Sequence, residues 1–260
     1  MPKIFYIEGV MVELNELLLK ISNNIEKVYF IHYACQSISD DYQWRSPRIA
    51  SIEVLHYTSS QMNSFSIHLV AEELDYEKEE IEENYEIIEK AMLESFISYV
   101  SSREKDSIWI HWNMTNINYG FQAIEHRYKV ITKKECFMIP EEHKINLSTL
   151  LSMKYGAKYC EEPKMQNLMI LNGLIDKNFI AGKDEITVFK AKEYVKLHHS
   201  TMSKVYFFKE VYKRMISNKL VTNTNRTRYI VNKIYQNPVV QILGIIGAIG
   251  SIIGLIILII

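Results

Sequence analysis

The sequence predicts an α/β domain, a mixed sheet flanked by helices, followed by a single C-terminal transmembrane helix. Three observations carry that expectation. Strand-like and helix-like runs alternate between residues 28 and about 216. One long amphipathic run separates the third strand from the fourth, as a crossover helix does. The last 22 residues, Val239 to Ile260, hold no charge and only Gln241 and Ser251 as polar groups. As a helix such a run spans about 33 Å, enough for a hydrocarbon core of about 30 Å. The expected division is an α/β domain over 1–216, a basic juxtamembrane linker over 217–237 and a transmembrane helix over 238–260.

The elements follow from periodicity. Residues 11–26 (MVELNELLLKISNNIE) are amphipathic and lead into a strand, VYFIHYAC, at 28–35. Ile49 to Tyr57 and Asn63 to Ala71 alternate apolar and polar residues around TSSQM, a hairpin pattern. Ile81, Tyr85, Ile88, Met92 and Phe96 recur at steps of three and four, which predicts one long helix. SIWIHW at 107–112 is the fourth strand, and helical spacing resumes at Phe121. NLSTLLSMKYG, with Asn146 or Ser148 near its start, and residues 165–175 are further helices. A long one runs from about Asp184 to Ser217, with Met202, Val205, Phe208, Tyr212 and Met215 along one stripe.

Charge is unevenly spread. From Glu72 to Glu94 there are eleven acids and two lysines, a net of -9; from Lys183 to Lys233 there are twelve basic residues and four acids, a net of +8. The acidic run fits a solvated helix face. The basic stretch fits an anionic leaflet or a nucleic acid. Arg226, Arg228 and Lys233 precede Pro238, which suits a helix start, and basic residues beside a span predict a cytoplasmic N-terminal domain. The opening MPKIFYIEGVMVEL has an early acid and no apolar run of signal-peptide type. Cys35, Cys136 and Cys160 lack the spacing of a zinc site or disulfide framework and are expected to be reduced, and the sequons at Asn113, Asn146 and Asn225 are expected to stay unmodified in that compartment.

The hairpin IASIEV with NSFSIH, the helix ending MLESFISYV, and IHWNMTNINYGF leading into IEHRY resemble the layout of the ribonuclease H-like fold of DEDD-type 3′–5′ exonucleases. The resemblance covers about residues 27–216 and includes INLSTLL and the long final helix. It implies a two-metal nuclease site built on four carboxylates, because two divalent cations need that charge to be held together. The sequence departs from this. Where the first strand would carry an Asp-x-Glu pair it reads His32, Tyr33, Ala34; where the second motif would carry an acid it reads Asn116, Ile117, Asn118; near the final helix only Asp184 and Glu185 remain. A replaced site would draw on His32, Glu53, His68, His111 and His126, since imidazole suits zinc, manganese or iron. No particular metal or cofactor follows.

Within IWIHWNMTNINYGFQAIEHRY at 108–128, Trp109, His111 and Asn113 share one parity of strand four, and Ile110 and Trp112 the other. Gly120 fits a position needing positive φ or close backbone approach. Asn116 or Asn118 would cap the next helix. Ligands in α/β sheets bind beyond the carboxyl ends of strands, which makes His111, Asn113, Asn118, Tyr119, Gly120, His126 and Arg127 the candidate ligand-binding residues. A purely structural role for the same residues stands beside that reading.

Gly244, Gly247, Ala248, Ser251 and Gly254 fall on one side of the predicted span, a smooth stripe of the kind that lets helices associate in lipid. The expected function is a tail-anchored membrane protein whose cytoplasmic domain binds a nucleotide, nucleic acid or protein partner and whose helix contacts lipid and self-associates. This architecture resembles membrane-acting effectors of bacterial antiviral systems. The alternatives are a membrane-tethered metal-dependent nuclease with a remodelled site, and a passive membrane scaffold.

Overall fold

The computed structural model of the protein describes residues 2–36, 46–116, 118–136 and 139–224. In chain order the elements are α1 (Pro2–Asn23), β1 (Val28–Cys35), β2 (Ile49–His56), β3 (Met62–Ser66), α2 (Ile67–Glu73), α3 (Tyr85–Ser101), β4 (Ile108–His111), β5 (Thr115–Asn116), β6 (Tyr119–Gly120), α4 (Phe121–Thr132), β7 (Lys144–Asn146), α5 (Leu147–Tyr155), α6 (Lys164–Asn172), α7 (Gly182–Lys190) and α8 (Tyr194–Ile216).

β1 lies at the centre of a five-stranded sheet of order β3-β2-β1-β4-β7. β2 pairs antiparallel with β1 and β3 antiparallel with β2, whereas β4 and β7 continue in parallel on the other side. The sequence of β1 explains its place: VYFIHYAC offers branched or aromatic side chains to both faces, which suits a strand covered on both. Val28, Phe30, Leu55, Ile108, Ile110 and Trp112 pack toward α1, α5, α6 and α8. Tyr29, Ile31, Tyr33, Ile52, Val54 and Trp109 pack toward α2, α3 and α4.

The sheet and its flanking helices answer to the α/β part of the expectation, but the fold class is corrected at its C-terminal element. Among the described residues, no helix is long and apolar enough to cross a membrane. α1 and α8 have the length, at 22 and 23 residues, but charged side chains recur along both. The expected span over 238–260, with Gly244, Gly247, Ala248, Ser251 and Gly254, lies outside the described residues, as do Arg226, Arg228 and Lys233 of the linker.

Other differences are local. The third strand stops at Ser66, and Ile67 to Glu73 coil into α2, because Ile67, Val70 and Ala71 also satisfy helical spacing and all three are buried that way. The helix expected from Ile81 begins at Tyr85, after a short 3-10 turn at Lys78–Glu80. The long final helix is two: α7 and α8 are separated at Ala191–Glu193, where Lys192 takes a left-handed φ of 59°. β7 is a strand of three residues, too short for its alternation to register.

One ion pair fastens α3 to α4 at the edge of the sheet. Glu89 Oε1 accepts from Arg127 Nε at 2.9 Å and from the Ile49 N–H at 2.6 Å, while Glu89 Oε2 accepts from a terminal Arg127 nitrogen at 2.5 Å. The carboxylate is fully buried, so removing its partner strands a charge. Glu89→Gln or Arg127→Met alone should lower the unfolding free energy by about 3–5 kcal/mol. In urea unfolding the double variant should recover part of that loss; strictly additive effects would contradict the clamp.

Candidate functional site

Where β1 and β4 end side by side, their chains diverge and leave a notch at the carboxyl edge of the sheet, the usual place for a ligand in such an arrangement. A cavity of about 360 Å³ opens there. β1 and the residue after it supply His32, Cys35 and Gln36; the end of β4 supplies Trp112 and Asn113; β6 supplies Tyr119. The opposite wall comes from α6, α7, α8 and the α6–α7 connection, through Gln166, Glu185, Lys204 and Phe179.

Lys204 is the charge that organises this space. It sits on the inner stripe of α8 with its side chain 3% exposed, against 13% for its partner Glu185. Lys204 Nζ donates to Glu185 Oε1 at 2.5 Å, and Ser200 Oγ donates to the same oxygen at 3.1 Å. Beside them His32 is held well below the usual imidazole range, mainly by burial and further by the charge of Lys204, so its ring is neutral. That ring meets Phe208 edge-on at 5.3 Å, and its Nε2 lies 3.4 Å from Tyr119 Oη.

Tyr119 stacks on Tyr33 at 4.7 Å and donates its hydroxyl to the Tyr33 carbonyl at 3.1 Å. Burial lifts its pKa well above the ordinary phenol value, so it stays a donor. Burial likewise pushes the Cys35 thiol up to about 12, which leaves no thiolate at neutral pH.

The residues predicted from the loop separate into three groups. Asn113 and Tyr119 line the cavity. His111 and Gly120 lie behind it and hold the loop: His111 Nδ1 accepts the Met114 N–H at 3.1 Å, and the Gly120 N–H donates to Tyr33 Oη at 2.8 Å. A Cβ on Gly120 would come within 2.5 Å of the Met114 carbonyl oxygen, so close backbone approach is what demands glycine there. Asn118 closes its own turn by donating its N–H to Asn116 Oδ1 at 2.9 Å. His126 is exposed on α4, and Arg127 is engaged by Glu89; neither lines the cavity.

The histidines of the replaced-site expectation do not converge. His32 faces the cavity and His111 packs against Phe121 at 5.3 Å. Glu53 and His68 are linked through His198, which no pattern in the sequence singles out. His198 Nδ1 lies 3.3 Å from His68 Nε2, and its Nε2 lies 3.5 Å from Glu53 Oε1. Ser64 Oγ donates to Glu53 Oε2 at 2.6 Å. Burial raises Glu53 well above the carboxylate range and lowers His198 to about 4, so this contact joins a neutral acid to a neutral imidazole. Among the described residues, no three His, Cys, Asp or Glu side chains are grouped to hold a metal ion.

Lys204 was not among the predicted residues, although a signal was present. It falls between Leu197, Thr201 and Phe208 at steps of three and four, so a lysine occupies a core position of an otherwise inward-facing stripe. Of the two acids preceding the final helix, Glu185 reaches the cavity and Asp184 is exposed.

The chain matches no protein-family model and no curated protein.

Buried neutral histidines make stability depend on pH. His111 is held down to about 4 by burial, with Lys144 adding to it, whereas an unfolded histidine takes up its proton near 6.5. The stability carried by the neutral ring is complete above that value and is lost as pH falls toward 4. Asparagine can place an acceptor where Nδ1 receives the Met114 N–H. Urea unfolding of His111→Asn across this range should therefore show a pH slope shallower than wild type by about 1.4 kcal/mol per pH unit; parallel slopes would show that the ring titrates normally.

Proposed function

We propose that the protein is a recognition domain that binds a nucleotide unit, free or at the end of a strand, in the cavity at the carboxyl edge of β1 and β4, without cleaving it. The observation that carries this reading is the buried Lys204 ammonium in the same cavity as His32. The strand order, with β1 to β3 antiparallel and β4 and β7 parallel, supports the ribonuclease H-like resemblance, which implies a pair of divalent cations at this edge. Two such cations need several carboxylates. Among the described residues this cavity has one, Glu185, already paired with a fixed cation.

What the walls do offer suits a base and a phosphate. Trp112, Phe179 and Tyr119 provide aromatic surface; Asn113, Gln36 and Gln166 provide amides that both donate and accept, as base edges require. The cavity volume of about 360 Å³ falls within the range of small-molecule sites, at roughly 300–1,000 Å³.

Calorimetric titration of the full chain with nucleosides, nucleoside 5′-monophosphates and short single strands tests the reading. Saturable one-to-one binding is expected, weakened at least about tenfold by Lys204→Met, which removes a charge-assisted bond. Gln166→Ala, half-buried on α6, should weaken binding with little effect on folding. Labelled strands should stay intact with Mg²⁺ or Mn²⁺. Metal-dependent shortening that Glu185→Gln abolishes would replace this proposal by a nuclease, and failure of every probe to bind would remove it.

A further inference from the structure

We infer that the cavity is built for a phosphate monoester, and that Glu185 occupies the phosphate seat until such a ligand displaces it. The inference rests on the nucleotide reading above and names the group on which recognition turns.

The seat is defined by two donors fixed in α8, Lys204 Nζ and Ser200 Oγ, which converge on a single oxygen, Glu185 Oε1. Both donors are held in place: Ser200 is fully buried and accepts the Ile180 N–H at 3.2 Å, and Lys204 is buried on the inward stripe of α8. The acceptor is the partner free to leave. Glu185 is the more exposed of the pair, and α7, which carries it, buries only Phe189 in the core. With an anion taking its place against Lys204, turning Glu185 outward leaves no buried charge unpaired, whereas moving Lys204 would break the packing of α8.

An anion entering the cavity has to take over that pair of donors, because among the described residues Lys204 is the only cation lining it. Glu185 is thus an internal competitor, and the competition selects among ligands. A dianionic monoester offers more charge and more acceptor oxygens than a carboxylate. A singly charged diester has no such advantage over Glu185, and an uncharged nucleoside does not compete at all. The ligand class is a nucleoside monophosphate or a strand end bearing a terminal phosphate, in preference to the interior of a strand.

The test is calorimetric titration of the full chain with the four common ribonucleosides, their 5′-monophosphates and the corresponding 3′,5′-cyclic diesters. Wild type should bind at least one monophosphate about tenfold or more tighter than its nucleoside and its cyclic diester. Glu185→Gln, which removes the competitor and keeps the side-chain volume, should tighten the cyclic diester about tenfold by freeing the seat. It should leave the nucleoside unchanged. Lys204→Met should erase the difference between monophosphate and nucleoside.

If Glu185→Gln is weakly stable because it strands Lys204, inorganic phosphate should raise its melting temperature more than that of wild type. Equal binding of nucleoside and monophosphate, with Glu185→Gln indistinguishable from wild type, overturns this inference and leaves the nucleotide reading standing. Absence of binding by every nucleoside and monophosphate overturns the nucleotide reading itself.

Discussion

Helix α8 lies over the centre of the sheet, and most of the polar side chains it brings there take a partner away from water. That constraint shapes the molecule more than any single apolar contact, because a buried hydroxyl left unbonded costs about 1–3 kcal/mol and an unpaired charge costs more. The solutions follow one another along the helix. Thr201 Oγ1 receives the Ser51 hydroxyl at 3.0 Å, His198 Nδ1 pairs with His68 Nε2 at 3.3 Å, and Lys204 takes Glu185 from α7. Ser51, Glu53 and His32 are placed for this by pairing, since Glu53 stands opposite His32 and both point to the α8 side. The position of α7, and with it one wall of the cavity, is a consequence of neutralising Lys204.

The opposite face of the sheet follows the same logic with different residues. Glu89 gathers Arg127 and the Ile49 N–H, and Tyr85 donates its hydroxyl to the Ile49 carbonyl at 3.0 Å, so the first residue of β2 is held from both directions. Tyr33 does the equivalent at the far end of β1. Its hydroxyl accepts from Gly120 while its carbonyl accepts from Tyr119, which ties the loop after β4 onto the central strand. The stretch from Ile108 to Tyr128 therefore has a mixed nature: Trp112, Asn113 and Tyr119 face the cavity, and His111, Gly120 and Arg127 hold the loop and the following helix in place.

Legibility in the sequence tracked the length over which a pattern repeats. β1, β2 and β4 and the body of α3 could be located because eight or more residues, or a strong apolar run, voted the same way. β7 has three residues and exists because β4 offers it a parallel edge, which no local pattern encodes. The break at Lys192 has neither glycine nor proline; it is imposed where Phe189 and Tyr194 both turn inward and meet at 5.8 Å. The site was legible where it depends on strand ends, as at Asn113 and Tyr119, and illegible where it depends on α7 and α8 facing each other across a connection that the sequence ran together. Arg127 looked available because a single sequence does not say that Glu89, 38 residues earlier, already holds it.

The protonation states of the described residues around the cavity are those on which the proposed recognition role rests. A general base works best when its pKa lies near the operating pH. His32 is far below that, because burial and the Lys204 charge both disfavour its imidazolium. Cys35 at about 12 and Tyr119 well above the phenol value keep their protons, so neither is a nucleophile at neutral pH. Glu185 is paired with Lys204, and its Oε1 receives both the Lys204 and the Ser200 donors. The groups that remain are a fixed cation, hydroxyl and amide donors and aromatic surface. Such a set suits the proposed reading, in which a bound anion is held in its ground state.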